Sequence, residues 1–360
     1  MKKYLQWSLL PGLLIAVVFN VHAQPVTGNP ETICYCTTRN QSPQNIAALD
    51  NNLELLKRLL TPQAVHELQN KIVFKESQLE LLKQWNLISV RNDSVETSVP
   101  WFDSIQTSAF RKISSQLAYD IVPAIIPEVK KLHAYLASLN RSKNAFSILF
   151  AYILDGKVWN NLEAEKIIAE RKLTDENYLW SGEFWLLDQK RSFSCGTNSI
   201  HDNGFGFYIN WSHEVIKKMW DFFGNWPAFE KLFADFQQHN RVLNDTAKSV
   251  FSPYEIFNSL GEFTVPVIYE NRQDDLYAIT NRLATQISRL LNDRIKMNEL
   301  AQFHFRDKSQ ATIILYHEIL WDIMDILVEK KIISKPVFFA NPETATAKDA
   351  ADLIFLTISK

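Results

Sequence analysis

Displaced by 166 residues, the chain meets itself. Val99-Pro100 falls on Val265-Pro266, Ile113 on Ile279, Leu117-Ala118 on Leu283-Ala284 and Ile121 on Ile287. Lys130 meets Lys296, Ala145 meets Ala311, Ile148-Leu149 meets Ile314-Leu315, and Ile153-Leu154 meets Ile319-Leu320. These are 12 identities over the 59 positions 98–156, without a gap. A fold that accepts both copies must bury the same apolar pattern twice. Each copy reads as an extended strand ending in Val-Pro, a long helix (108–121 and 275–291) and a buried helix (143–154 and 309–324). Two such copies are expected to pack about a pseudo-twofold axis, as a fused dimer would.

Upstream of the first copy, a polar lead-in with Pro25, Pro30 and Pro43 reads as an irregular arm. Leu53, Leu56, Leu59 and Leu60 then recur at helix spacing, and Pro62 suits the first position of a helix over 62–72, followed by another over 76–85. Residues 86–90 and 95–99, joined by Arg91-Asn92-Asp93-Ser94, read as a β-hairpin. Three short helices and a hairpin resemble a winged helix. The phrase Leu81-Leu82-Lys83-Gln84-Trp85-Asn86-Leu87-Ile88 is similar to the closing helix and first wing strand of such domains. That resemblance implies a helix, 76–85, that enters a DNA major groove. The charges depart from it: residues 51–100 carry six Lys or Arg and six Asp or Glu, and the reading helix offers Lys83 against Glu76 and Glu80. Phosphate contacts need several uncompensated cations. A winged helix used for packing or protein contact is the better expectation. Before the second copy, 229–238, 241–250 and 253–260 read as helices and 262–268 as a strand, with the wing shortened at Gly261. Taken whole, the chain resembles bacterial exported proteins with winged-helix-like segments, a likeness that implies no particular activity.

Between the copies the character changes. Residues 178–226 hold 13 aromatic residues and five of the nine glycines. Residues 183–187, 192–195 and 206–211 read as short strands of a small antiparallel sheet, with a polar loop at 196–204. Long polar loops on a rigid frame are where function usually sits. Trp180, Trp185, Tyr208 and Trp211 could stack on sugar rings or clamp an apolar peptide, with Asn198, His201 and Asp202 supplying hydrogen bonds. The plainer reading is that these aromatics form the core of the insert. Cys195 with His201 or His213 has the residue types of a nucleophile and base, but an exported lone cysteine more often packs or bridges, and His201, Asp202 and His213 have those of a metal site, but at weak spacing. His317-Glu318 opens like a metalloprotease motif, yet Trp321 stands where the second histidine belongs, so that helix reads as core. No catalytic residue, metal or cofactor is assigned.

The amino terminus supplies an address. Lys2 and Lys3 precede an apolar run, 9–19, and Val21-His22-Ala23 presents small residues to a signal peptidase, with cleavage expected before Gln24. The run is about half of the roughly 20 residues a membrane span needs, so no transmembrane segment is expected after cleavage. The mature protein is then exported, periplasmic or secreted. Net charge is −2, from 38 basic and 40 acidic residues, which gives no general attraction to nucleic acid. Export permits disulfides. Cys195 with Cys34 or Cys36 is the expected pair, since a Cys34–Cys36 bridge closes a very tight ring.

The expectation is thus a mainly α, α+β protein: a signal peptide (1–23), an irregular arm (24–43), a first helical winged-helix-like repeat (44–165), an aromatic-rich β insert (166–227), a second helical repeat (228–340) and a C-terminal segment (341–360). Its expected function is non-catalytic binding of a protein or glycan of the bacterial envelope. A hydrolase of an envelope polymer, with its site at 196–204, is the main alternative. A winged-helix DNA-binding regulator is the reading left if residues 1–23 are not a signal.

Overall fold

The structure, a computed structural model, describes residues 30–212 and 225–359. It is an α+β protein, 53% helical and 17% strand. No helix among the described residues is long and apolar enough to cross a membrane. The chain forms two compact units, and their boundaries do not follow the sequence in order. The first unit takes residues up to Lys112, then Lys166–Lys190 and Lys296–Leu315. The second takes Ile113–Glu165, Arg191–Ile295 and Tyr316–Lys360.

In the first unit, β1 (Glu31–Thr38) lies antiparallel to β6 (Trp180–Leu187) along its whole length, from Glu31 opposite Leu187 to Thr38 opposite Trp180. The short β5 (Trp101–Phe102) runs parallel to the far end of β6, at Leu186 and Leu187. A second sheet joins β2 (Gln63–Ala64), β4 (Ser94–Thr97) and β3 (Ile88–Arg91) in the order β2-β4-β3. Around it stand the helices Pro43–Ala47, Asn52–Arg58, Val65–Gln69 and Glu76–Gln84. Leu55, Leu56, Leu59, Leu68 and Leu82 are wholly buried, with Leu87, Val95 and Phe184 in the same core; of the leucines at helix spacing, Leu53 is partly buried and Leu60 is exposed. Pro43 begins its helix, where a missing N–H costs nothing, and the Ser42 hydroxyl accepts the Asn45 N–H at 3.2 Å. Phe102, Phe110, Phe303 and Phe305 form a second apolar cluster, with ring centroids 5.2–6.0 Å apart.

In the second unit, β7 (Cys195–Asp202), β8 (Phe205–Ser212), β10 (Ile354–Ile358) and β9 (Val267–Tyr269) make one sheet in the order β7-β8-β10-β9. Its β8-β10-β9 part repeats the pattern of β1-β6-β5: an antiparallel pair, then a short parallel strand that follows Val-Pro. The bonds correspond as well. The Leu186 N–H donates to the Pro100 carbonyl at 3.0 Å, and the Leu356 N–H to the Pro266 carbonyl at 2.9 Å. Each short strand leads into a long helix, Ser104–Ser138 or Asp275–Arg294, then a 3₁₀ turn, then a buried helical stretch. In the first copy that stretch includes a π-helix, Ile148–Val158, in which every residue from Ile148 to Leu154 is buried. Apolar residues on all sides suit a helix with no solvent face. The altered winding is supported by Tyr316, whose hydroxyl donates to the Leu154 carbonyl at 2.7 Å. The corresponding helix, Lys308–Glu329, buries Tyr316, Leu320 and Trp321. Its buried Glu318 faces Arg191 at 3.0 Å, which Asp322 also meets at 2.9 Å.

Several sequence expectations are corrected. Part of the supposed arm is the strand β1, since Pro30 and Pro43 bracket it without interrupting it. The aromatic stretch is no single insert: β6 belongs to the first unit's sheet, and β7 and β8 to the second's. Residues 196–204 form most of β7 and the Asn203-Gly204 turn, where positive φ values of 47° and 84° reverse the chain, so they are not a long loop. Residues 253–260 hold only the 3₁₀ turn Ser252–Tyr254 and an irregular segment; among the described residues the second copy has an isolated Phe257–Phe263 bridge where the first has a hairpin. The C-terminal segment ends in β10, an interior strand.

Cys34 and Cys36 are bonded to each other, with Cα atoms 5.5 Å apart, and Cys195 is a buried free thiol. Successive odd or even residues of a strand share a face, which brings these two sulfurs together. Opposite Cys36 sits Gly182, with φ +129°. A Cβ there would lie 2.1 Å from the Tyr35 carbonyl oxygen. Gly182→Ala is therefore expected to cost about 2–5 kcal/mol from backbone strain and steric overlap, read as a shift in the urea midpoint at unchanged m-value.

Candidate functional site

The candidate residues divide between the units. Trp180 and Trp185 are five positions apart on β6 and so face opposite sides of it. Trp185 is wholly buried and is core. Trp180 borders a cavity of about 680 Å³ in the first unit. The other five lie on the β7–β8 hairpin and are engaged with it. The Trp211 indole N–H donates to the Asn198 side-chain oxygen at 3.1 Å, and its ring covers Gly196 so closely that a Cβ there would lie 2.5 Å away. His201 Nε2 is 3.1 Å from the Ser199 hydroxyl, and its ring meets Tyr208 edge-on. Tyr208 stacks on Phe355 at 4.7 Å. Asp202 accepts from Gln237 at 3.1 Å. Burial lowers the His201 pKa, with Glu270 acting the other way. The Trp211–Asn198, His201–Ser199 and His201–Tyr208 contacts lie within the hairpin, and Tyr208 and Asp202 tie it to Phe355 of β10 and to Gln237.

Cys195 is buried, and burial raises its pKa well above the ordinary thiol value, which favours the protonated form. His213 lies outside the described residues. Among the described residues no three His, Cys, Asp or Glu side chains are grouped to hold a metal.

The cavity is built from three pieces of chain. Asn86, Ile88 and Ser89 come from the start of the hairpin, Ser181–Phe184 from β6, and Arg306 and Gln310 from the segment entering the Lys308–Glu329 helix. Its volume falls within the range of small-ligand sites, about 300–1,000 Å³. The buried Glu183 carboxylate is held at both oxygens: one pairs with the Arg306 guanidinium, and the other accepts the Gln310 amide at 2.9 Å. Gln310 is fixed in turn, since its oxygen accepts the Arg306 N–H at 2.9 Å and its own N–H reaches Asp307 at 2.8 Å, an N-cap arrangement. Burial opposes the charge on Arg306, but Glu183 and Asp307 outweigh it and raise its pKa. The Trp180 ring is pinned by its N–H, which donates to the Trp85 carbonyl at 2.8 Å.

The second copy carries different residues at the corresponding positions. Counted back from Leu186 and Leu356, which bond Pro100 and Pro266 alike, Glu183 falls against Leu353, the last residue of the 3₁₀ helix Ala347–Leu353, and the 166-residue offset sets Arg306 and Gln310 against Asn140 and Asn144. Leu353 is wholly buried, and the Asn144 amide donates to the carbonyls of Ala351 and Ile354 at 2.7 and 2.9 Å. The second copy carries no charged residue at these three positions. Sequence reasoning missed Glu183, Arg306 and Gln310; the signal was present as the one acidic residue inside β6 and as the amide repeated at 144 and 310.

Trp185→Ala is expected to lose about 3–5 kcal/mol of stability, as for a buried indole, checked by chemical denaturation. Alkaline pH offers a second check. Burial, then Glu270, push the Tyr208 pKa up to about 12, and burial and Glu270 raise Tyr152 as well. An unfolded tyrosine ionises near 10, so this contribution is complete below about pH 10 and is lost as pH climbs towards 12. The loss for Tyr208 is about 2–3 kcal/mol, and Tyr208→Phe should flatten that part of the stability profile. No family model, curated protein or solved structure matches this chain.

Proposed function

We propose that the protein is a non-catalytic binding protein whose ligand occupies the cavity of the first unit. The observation that carries this reading is the Glu183, Arg306 and Gln310 set, which borders the cavity, whereas the second copy has the buried Leu353 and Asn144 and the exposed Asn140 at the corresponding positions. Burying the Glu183 carboxylate costs desolvation energy, while the Arg306 guanidinium beside it is largely exposed; an acidic residue present in one copy and replaced by Leu353 in the other supports a role in binding. Glu183 suits recognition better than acid–base chemistry, since both of its oxygens are already engaged.

The address at residues 1–23 supports a place in the periplasm or at the cell surface. The order helix, β2, two helices and the β3–β4 hairpin supports reading residues 52–97 as a winged helix used for contact, with the base of its wing at the cavity. The matched strand pairings support reading the chain as a duplication. The hydrolase alternative loses its footing with residues 196–204 bound into the hairpin.

The test is a thermal-shift panel of peptide and glycan fragments of the envelope, with Glu183→Leu/Gln310→Asn as the comparison. That double variant writes the second unit's residues into the first. Fragments are expected to raise the Tm of the wild type by a few degrees, to leave the variant unmoved, and to be recovered intact by mass spectrometry. Cleaved fragments would end the non-catalytic reading.

A further inference from the structure

We infer that the cavity takes an extended peptide, added as a strand to the open edge of β6; this rests on the cavity being the binding site. The argument starts from a missing donor. In a parallel ladder the bonds between two strands are evenly spaced, two residues apart. With Leu186 bonded to the Pro100 carbonyl and Asp188 to the Phe102 carbonyl, the next bond towards the start of β6 would run from the N–H of residue 100 to the carbonyl of Phe184. Residue 100 is proline and has no N–H. The ladder stops there, and β5 covers β6 only at Leu186 and Leu187.

The second unit meets the same break and closes it. Pro266 stands where Pro100 does, and the carbonyl corresponding to Phe184 is that of Ile354. Asn144 reaches across and donates its amide to that carbonyl at 2.9 Å. In the first unit the corresponding side chain is Gln310, which is turned away and holds Glu183 instead. No side chain among the described residues is hydrogen-bonded to the Phe184 carbonyl. Gly182 and Phe184, the residues whose main-chain groups face that edge, both border the cavity.

A polypeptide in extended form repeats its donors and acceptors every second residue on one side, the spacing this edge presents. Its first N–H takes the place of the one that Pro100 lacks. The charged residues around the space, Glu170 and Glu183 against Lys172 and Arg306, balance, so the peptide it fits carries no net charge there. Trp180, pinned by its own N–H, offers carbon surface to one side chain.

The experiment uses N-acetylated, C-amidated hexapeptides rich in Val and Thr, the same peptides with a central backbone amide N-methylated, and an N-acetylglucosamine hexamer, each titrated calorimetrically into the intact protein. Unmethylated peptides are expected to bind, and methylation to weaken binding about tenfold or more, the worth of one hydrogen bond. Glu183→Leu/Gln310→Asn, checked for a cooperative melt, is expected to abolish binding by sealing the edge as Asn144 does. If that variant does not fold, Ser89→Trp, which fills the cavity from the hairpin side, makes the same comparison. Equal binding of methylated peptides overturns strand addition. Saccharide binding lost in the variant, without peptide binding, overturns strand addition and leaves the cavity reading intact. Binding of either probe that ignores both variants overturns both.

Discussion

Each unit depends on a strand that arrives late and is placed in the middle. β6 lies between β1 and β5, and β10 between β8 and β9, so neither sheet can close until the last of its strands has been made. The closing bond is the same in both, an amide donating to the carbonyl of the proline in Val-Pro. Such pairings join residues far apart in sequence, and the loop entropy must be overcome before the contact rewards it. Proline at that position accepts the bond that fixes the register while refusing the next, which sets where the parallel ladder ends. The rest of the core, including the phenylalanine cluster around Phe102 and Phe110, presupposes that register.

Much of this was legible in the sequence. The offset of 166 residues located the helices after both Val-Pro pairs, because apolar spacing records a buried helix face whatever surrounds it; the strands themselves begin after Val-Pro and do not end in it. Most of the helix-and-hairpin order of residues 52–97 was legible for the same reason, with turn residues such as Asn92-Asp93 marking the reversal, but β2 stands at Gln63–Ala64 and the helix expected over 62–72 with Pro62 at its first position runs only over Val65–Gln69. The strands β1 and β10 were not. Each is an interior or fully paired strand whose only local mark is a short run of apolar or β-branched residues, and the prolines around Cys34 and Cys36 suggested an arm. The extent of β7 was hidden by its polar sequence, Thr-Asn-Ser, which reads as loop until a partner strand satisfies its backbone.

The site was legible only in part. Trp180 was singled out for its chemistry and does border the cavity, whereas its neighbour Trp185, singled out on the same grounds, is core. Composition cannot separate two tryptophans on one strand; the parity of their positions does so once the strand's faces are known. Glu183, Arg306 and Gln310 were beyond reach because they come together from segments more than 120 residues apart, and what distinguishes them is a comparison with the other copy that needs the strand register. The cysteines teach the converse. Proximity in sequence counted against Cys34–Cys36, yet a strand puts alternate residues on one face, and the pairing is local.

The way the units draw on the chain has a consequence for inheritance. Residues 296–315 belong to the first unit although they lie within the second copy, and 113–165 belong to the second although they lie within the first. A gene cut at the natural seam of its repeat would therefore encode two fragments, each lacking part of its own core and carrying part of the other's. Arg306 and Gln310 would be separated from Glu183 by that cut. Such a chain cannot be shuffled or shortened by half, and selection on either unit acts on the whole length at once.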